Sequence, residues 1–303
     1  RARQVSQRLR LRHREIPFSA VDLTSLPRIL EKYAQPLSNF PMLYADQLAV
    51  GVRKEAKVAL GGNGADEAFG GYRGYNRQLV GERISALIRH APAWLTGPVT
   101  SRLAGLARLQ AAAEFPVEER RGRTLDALAL SLGATMFTPE FAQRARQYSP
   151  GRFVTEFARE CTPGSYLDTV MYSDLMVYHQ HATTVITDVS GMTHGLEIRA
   201  PFLDHRLLEF AFSLPRRLKV RSAFRPNRNK YVLKRSLEQG LPLDVLFAPK
   251  YGFGFNIGLD SLLKGPWRAA VEEFVRRGRY LELGVFAERG AAWAIEHSVG
   301  ETW

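Results

Sequence analysis

Cysteine is almost absent. A single thiol, Cys161, stands in 303 residues, so an intrachain disulfide framework is excluded and a reducing compartment suits the chain. Its neighbours Glu160, Thr162 and Pro163 offer no group that would activate it, and we read it as a structural thiol. Long apolar runs are absent too, and none approaches the roughly 20 residues that a membrane span needs. The first 15 residues are rich in Arg and contain no apolar stretch, so no secretory signal is expected. Lysine is scarce: 8 of the 42 basic residues are Lys and 34 are Arg. The net charge of +12 and pI near 10.0 raise nucleic acid as a partner. The arginines are scattered, however, with no aromatic-interleaved basic stripe, and we expect neither a nucleic-acid nor a membrane partner. No internal repeat and no low-complexity linker occurs. His179, His181, His194 and His205 follow no zinc spacing, and no cysteine cluster supports them. They read as satisfied or exposed side chains.

What is present is a soluble globular composition, 45% hydrophobic with a mean hydropathy of −0.21. Helical and strand-like segments alternate, as in a parallel α/β sheet. A helical tail over residues 1–16 leads to an extended segment at Glu15–Phe18. Ser25 is placed to cap a helix through Tyr33, and a second helix covers Leu43–Glu55. Val58–Leu60 reads as a short buried strand, and a helix follows Tyr72. Residues 80–165 are helix-rich, with breaks at Pro92, Pro98, Pro116 and Pro139. Helical periodicity runs over 165–183, and another helix follows Pro201 to about Ser213. Asn227 or Asn229 is placed to cap a helix over Lys230–Gln239, stopped by Gly240. The tail from Pro266 reads as helices. The expected division is an α/β portion over 1–80 that carries a nucleotide site and a mainly helical portion over 81–303 that completes it.

The segment from Val58 to Tyr72 carries most of the chemistry. The apolar strand breaks into Gly61, Gly62 and Gly64 around the amide of Asn63; Asp66 and Glu67 follow, then Phe69-Gly70-Gly71-Tyr72. A strand ending in such a turn lets backbone N–H groups approach an anion closely. Asp66 and Glu67 stand where an oxygen-seeking cation such as Mg²⁺ is wanted beside phosphates. The same residues would also suit a tight turn opening a helix, with both acids near its positive end. Lys230, in the first turn of its expected helix, opposes the helix dipole and therefore points to a shared anion, with Arg228 two residues earlier. Lys250 precedes Tyr251-Gly252-Phe253-Gly254-Phe255, a loop able to order over a ligand.

This segment resembles a signature of the synthetase domain of glutamine-hydrolysing asparagine synthetases, Ser-Gly-(Asp/Glu)-Gly-(Ala/Ser/Gly)-Asp-Glu followed by Phe-Gly-Gly-Tyr. Two further blocks resemble the same family in the same order. Leu196-Glu197-Ile198-Arg199-Ala200-Pro201-Phe202-Leu203-Asp204-His205 matches one, with a weaker Asp188 and Met192 ahead of it. Lys230-Tyr231-Val232-Leu233-Lys234-Arg235, Leu241-Pro242 and Lys250-Tyr251-Gly252-Phe253 match the other. The resemblance implies a parallel sheet flanked by helices, of the adenine-nucleotide pyrophosphatase type, with a helix-rich C-terminal half. It implies ATP and Mg²⁺, with Gly61, Gly62 and Gly64 against the nucleotide and Asp66 on the metal. Lys230 and Lys250 would contact pyrophosphate and stabilise the adenylation transition state. Aspartate would be converted to β-aspartyl-AMP and attacked by ammonia from a glutaminase domain, in the cytoplasm; an assembly of two identical chains is allowed.

The departures fall at the site. The usual Ser is Gly61, and the usual Asp or Glu is Asn63, which hydrogen-bonds but cannot act as a base. β-Lactam synthetases and lasso-peptide cyclases share the fold and vary that position, so a lactam- or amide-forming cyclase for another carboxylate is the alternative. The family's Ser-Gly-Gly-x-Asp-Ser phosphate loop occurs nowhere in these residues, nor does the glutaminase domain. The sequence is therefore expected to be a fragment, and a non-catalytic binding role stays open for it. Glu197, Arg199 and Asp204 are expected to fix the loop-to-helix turn around Pro201.

Overall fold

The computed structural model describes residues 1–17, 26–35, 41–90, 115–161, 165–249, 265, 267–290 and 292–293, with the side chains of 85–90 left aside. The chain groups into two compact units, Arg1–Arg120 with Glu156–Tyr251, and Arg121–Thr155 with Gly252–Trp303.

The first unit is helix-rich and is organised on a small parallel sheet. Strand β1 (Val58–Leu60) pairs in parallel with β2 (Glu197–Arg199), with Val58, Ala59 and Leu60 opposite Glu197, Ile198 and Arg199. Flanking bonds extend the ladder: Glu197 N–H donates to Lys57 O at 2.9 Å, and Gly61 N–H to Arg199 O at 2.7 Å. The second of these holds the start of the Gly-rich turn against the end of β2. Helix Val185–Thr193 packs beside β2 and against helices Leu26–Tyr33 and Pro41–Arg53. Tyr33 and Ser190 hydroxyls meet at 2.7 Å in this core. Asp46 ties the same helices together, accepting from Lys32 Nζ at 3.1 Å and lying 2.9 Å from His194 Nε2.

Three expectations are corrected. The apolar run Val58–Leu60 is a strand but not a buried one: Val58 is 43% and Leu60 76% exposed. Alternate strand side chains point to opposite faces. Ile198 of β2 reaches the helix Val185–Thr193, close to Gly191, whereas Val58 and Leu60 stay open among the described residues. Periodicity over 165–183 is not one α-helix. Tyr166–Ser173 is α-helical, closed at its start by a Ser165–Asp168 capping box, and Asp174–Thr184 is then π-helical. Neither Asn227 nor Asn229 caps the helix after Lys230. That helix is Tyr231–Ser236, with Lys230 itself as its N-cap at φ +53°. Asn229 is instead spent inside the fold, its amide paired reciprocally with Asn76 at 2.7 and 3.0 Å.

Among the described residues, two further apolar clusters stand out in the unit. One joins Tyr75, Leu79, Leu167, Val170, Met171 and Val220. The other joins Ala68, Phe69 and Ala211, with Phe202 edge-on to Phe69 at 6.3 Å. The block around Pro201 forms a 3₁₀ turn, Pro201–Leu203, before helix His205–Ser213. Asp204 caps that helix by accepting from Arg206 N–H at 3.0 Å.

In the second unit, Gly122 and Gly151 allow two helical segments to touch backbone to backbone: a Cβ on Gly151 would lie 2.0 Å from Gly122 O. Phe137 and Phe286 form an antiparallel bridge with ring centroids 5.7 Å apart. Thr138 caps helix Pro139–Ala145 through Phe141 N–H. Ser25, Pro92, Pro98 and Lys250, with the loop Tyr251–Phe255, lie outside the described residues.

Candidate active site

The site grows from the turn that ends β1. Gly61 continues the strand and Gly62 is exposed, with open space where a Cβ would stand. Gly64 makes the turn possible. Its φ is +89°, in the left-handed region, and a Cβ there would lie 2.4 Å from Leu203 Cδ2. Helix Ala65–Phe69 starts directly after it, with Asp66 and Glu67 in its first turn, and ends at Gly70 with φ +70°. One turn of helix therefore sends two adjacent acids to different sides, about 100° apart.

Asp66 is half-buried and faces Lys230, whose Nζ lies 3.0 Å from Asp66 Oδ1. Gly71 leaves room for the pair: a Cβ on it would meet Asp66 Oδ1 at 1.7 Å and Lys230 Cε at 2.5 Å. Lys230 is one of three non-glycine residues with positive φ among those described. That conformation costs about 1–2 kcal/mol for an L-residue, so a tertiary contact must hold it, and the Asp66 contact is the visible one.

Glu67 turns inward and is 1% exposed. Tyr72 donates to its Oε1 at 2.5 Å. His179 Nδ1, from the π-helical turn, lies 3.1 Å from the same oxygen, at ion-pair distance but off the hydrogen-bond line. Burial opposes the Glu67 charge, yet His179 and Tyr72 outweigh it and hold the carboxyl below its ordinary 4.5. Burial and the Glu67 charge push the Tyr72 phenol far above its ordinary range, so it remains a donor.

Asn63 sits between the glycines with its amide aimed across to helix Val185–Thr193. Its Nδ2 donates to Thr187 Oγ1 at 2.6 Å, and Thr187 donates onward to Thr183 O at 2.9 Å. Thus Asn63, Gly61, Gly62, Gly64, Asp66 and Lys230 lie around one turn. Lys250 lies outside the described residues, and Arg228 stacks its guanidinium 4.5 Å over Phe247. Glu197 pairs with Arg199 at 2.8 Å, and Asp204 with Arg206 at 2.8 Å. Asp204 holds the start of the helix after the turn, as expected. Glu197 and Arg199 instead pair with each other at exposed positions of β2, and their side chains make no contact with the turn among the described residues. Burial raises the Cys161 thiol, which disfavours the thiolate.

The residues fit a divalent cation in one way. Mg²⁺ takes one or two protein carboxylates and completes its shell with water and phosphate oxygens. Asp66 offers such a carboxylate and Glu67 does not, because it is buried with its Oε1 against Tyr72 and His179. No group of three or more His, Cys, Asp or Glu side chains able to hold a metal occurs among the described residues. Sequence reasoning passed over Thr187, Tyr72, His179 and Gly71 as partners of the site. The Gly70-Gly71-Tyr72 string signalled two of these, Gly71 and Tyr72, since a glycine pair after a one-turn helix marks a close approach; no local signal marks Thr187 or His179.

The sequence profile of the Asparagine synthase family matches residues 1–298. The chain belongs to the asparagine synthase family. Asparagine synthetase [glutamine-hydrolyzing] 1 of Bacillus subtilis is 27% identical over 247 residues, covering 76% of this chain and 36% of that protein. Asparagine synthetase [glutamine-hydrolyzing] of Gallus gallus is 33% identical over 90 residues, covering 29% and 15%. The Homo sapiens protein of the same name is 31% identical over the same length and shares. The chain thus spans about a third of the length of the first of these relatives. No solved structure matches it. No helix among the described residues is long and apolar enough to cross a membrane.

Proposed function

We propose that this asparagine synthase family chain supplies the acid–lysine half of an ATP-dependent amide-forming site. Converting a carboxylate to an amide needs a better leaving group than oxide, and adenylation by ATP supplies one as pyrophosphate departs. Such a step depends on position and charge. The reading rests on one observation: Asp66 and Lys230 meet 3.0 Å apart at the carboxyl end of a parallel strand, where ligands bind in open α/β sheets. Asp66 would hold Mg²⁺, which withdraws charge from phosphate oxygens. Lys230 would then turn from Asp66 to the departing pyrophosphate. Lys250 is the second cation of this reading, and Gly62, open where a side chain would stand, is where the nucleotide backbone approaches. A sheet of adenine-nucleotide pyrophosphatase type would place these parts.

The relatives' name points to aspartate as the carboxylate, activated as β-aspartyl-AMP, and to ammonia from glutamine as nucleophile. This would occur in the cytoplasm, with pairing of two chains allowed. Asn63 favours a second reading, an amide- or lactam-forming cyclase for another carboxylate, because an amide replaces the acid at that point of the turn. Pyrophosphate release by the protein carrying these 303 residues, with ATP, Mg²⁺ and a panel of carboxylates, tests both. We expect aspartate-dependent release that Lys230→Ala and Lys250→Ala each reduce by at least 100-fold, in line with loss of one transition-state contact. Asn63→Asp raises aspartate turnover if Asn63 is a tolerated departure from the family's acid. No aspartate activity in either form, with release on another carboxylate, selects the cyclase. Wild-type rates in Lys230→Ala and Lys250→Ala would sink the assignment.

A further inference from the structure

Thr187 belongs to none of the sequence blocks that carry the family resemblance, yet it fixes the polarity of the site. A threonine hydroxyl has one proton to give. Thr187 gives it to Thr183 O, one helical turn back, at 2.9 Å. Toward Asn63 it can therefore only accept, so the amide must present its NH₂ to Thr187, as the 2.6 Å contact shows. Asn63 Oδ1 is then turned away from the helix. It makes no hydrogen bond among the described residues, and Asn63 is only half-buried, so solvent or a ligand reaches it. The neighbouring Gly62 is exposed with nothing within 4 Å of where a Cβ would be.

We infer that Thr187 is a positioning residue that locks Asn63 as a neutral hydrogen-bond acceptor, and that the site thereby selects a carboxylate substrate bearing an N–H donor, such as an α-ammonium group. This rests on the proposed carboxylate-activating reading of the turn. A carboxylate at position 63 would reverse the arrangement, since it could only accept and Thr187 would have to abandon Thr183 O to meet it. The Asn63–Thr187 pair is thus matched in both members. An acceptor of fixed direction rejects an isostere that lacks the donor, because its lone pairs lose their partner on binding.

The test uses the protein carrying these 303 residues, titrated with L-aspartate and with succinate, in the presence and absence of Mg²⁺ and a non-hydrolysable ATP analogue. The Asn63 side-chain amide resonances are followed alongside. We expect aspartate to bind roughly tenfold tighter than succinate, the size of a hydrogen bond to a charged donor. Thr187→Val should erase that preference and shift and broaden the Asn63 amide signals, and Thr187→Ser should restore both. A fold-only role for Thr187 would alter stability without touching the aspartate-to-succinate ratio. Equal binding of the two probes to wild type, or an unchanged Asn63 amide in Thr187→Val, overturns the inference and leaves the carboxylate reading standing. Binding of neither probe overturns the carboxylate reading and the selection together.

Discussion

Asp66 and Lys230 meet over a residue that has no side chain: Nζ and Oδ1 are 3.0 Å apart, and a Cβ on Gly71 would stand 1.7 Å from that carboxylate oxygen. They come from positions 164 residues apart in the chain (230 − 66), and each is only about a quarter exposed. A pair that still reaches solvent adds little stability, about 0–1 kcal/mol. Its cost is visible instead in the left-handed backbone of Lys230. Strain of this kind is what the proposed role of Lys230 beside Asp66 would account for.

Lys230 can therefore be separated into backbone and side chain. Lys230→Gly relieves the left-handed strain and Lys230→Ala does not, while both remove the ammonium. We expect the Gly variant to be more stable than the Ala variant by about 1 kcal/mol in urea unfolding. Both should lose ATP-dependent pyrophosphate release equally. Equal stability of the two variants would show that the φ of +53° carries no strain.

The two glycines of the site should fail in different ways. Gly64→Ala meets both a positive φ of +89° and a 2.4 Å contact with Leu203 Cδ2, and should lower stability by about 2–4 kcal/mol. Gly71→Ala meets the ends of two partly buried side chains that can move aside. It should cost less than Gly64→Ala in thermal unfolding, yet reduce nucleotide binding because Asp66 and Lys230 are driven apart. The reverse order of stabilities would contradict this assignment of roles.

Glu67 sets an acid limit on folding. Its carboxyl is held below its ordinary 4.5 in the folded chain. A depressed folded value contributes stability that is fully present above 4.5 and is lost as pH falls through the lower folded value. Glu67→Gln removes that ionisation and leaves Tyr72 and His179 facing a neutral amide, at about 1–3 kcal/mol. The wild type should lose its advantage over the variant as pH falls below 4.5. Parallel stability curves for the two proteins from pH 6 to pH 3 would contradict the depressed value.

The fully buried Lys219 gives an asymmetric pair of variants. Its ammonium donates to Asp168 Oδ1 at 2.7 Å and lies 5.3 Å from the Phe212 ring centre. Asp168→Ala strands a charge in the core, breaks the Ser165 capping box and should cost about 3–5 kcal/mol. Lys219→Met leaves Asp168 still bonded to Ser165 and should cost clearly less. Urea midpoints of the two variants compare them directly.

Much of the site was legible in residues 58–72 because local chemistry writes itself locally. A strand, a glycine turn and two acids need only neighbouring residues to be recognised, and the structure has all three there. The cap of helix His205–Ser213 was likewise written in the block around Pro201. Tertiary structure alone decided which acid serves which purpose. Asp66 and Glu67 are adjacent and chemically alike, but one helical step of about 100° turns one to Lys230 and the other into the core with Tyr72 and His179. It also decided that Val58 and Leu60 stay exposed, because burial depends on what packs over a strand face and not on the strand's own residues. The π-helical turn at Asp174–Thr184 and the Asn63–Thr187 bond are of the same kind. The first sets His179 against Glu67 at 3.1 Å and the second joins residues 124 positions apart at 2.6 Å, and only the folded chain brings either pair together.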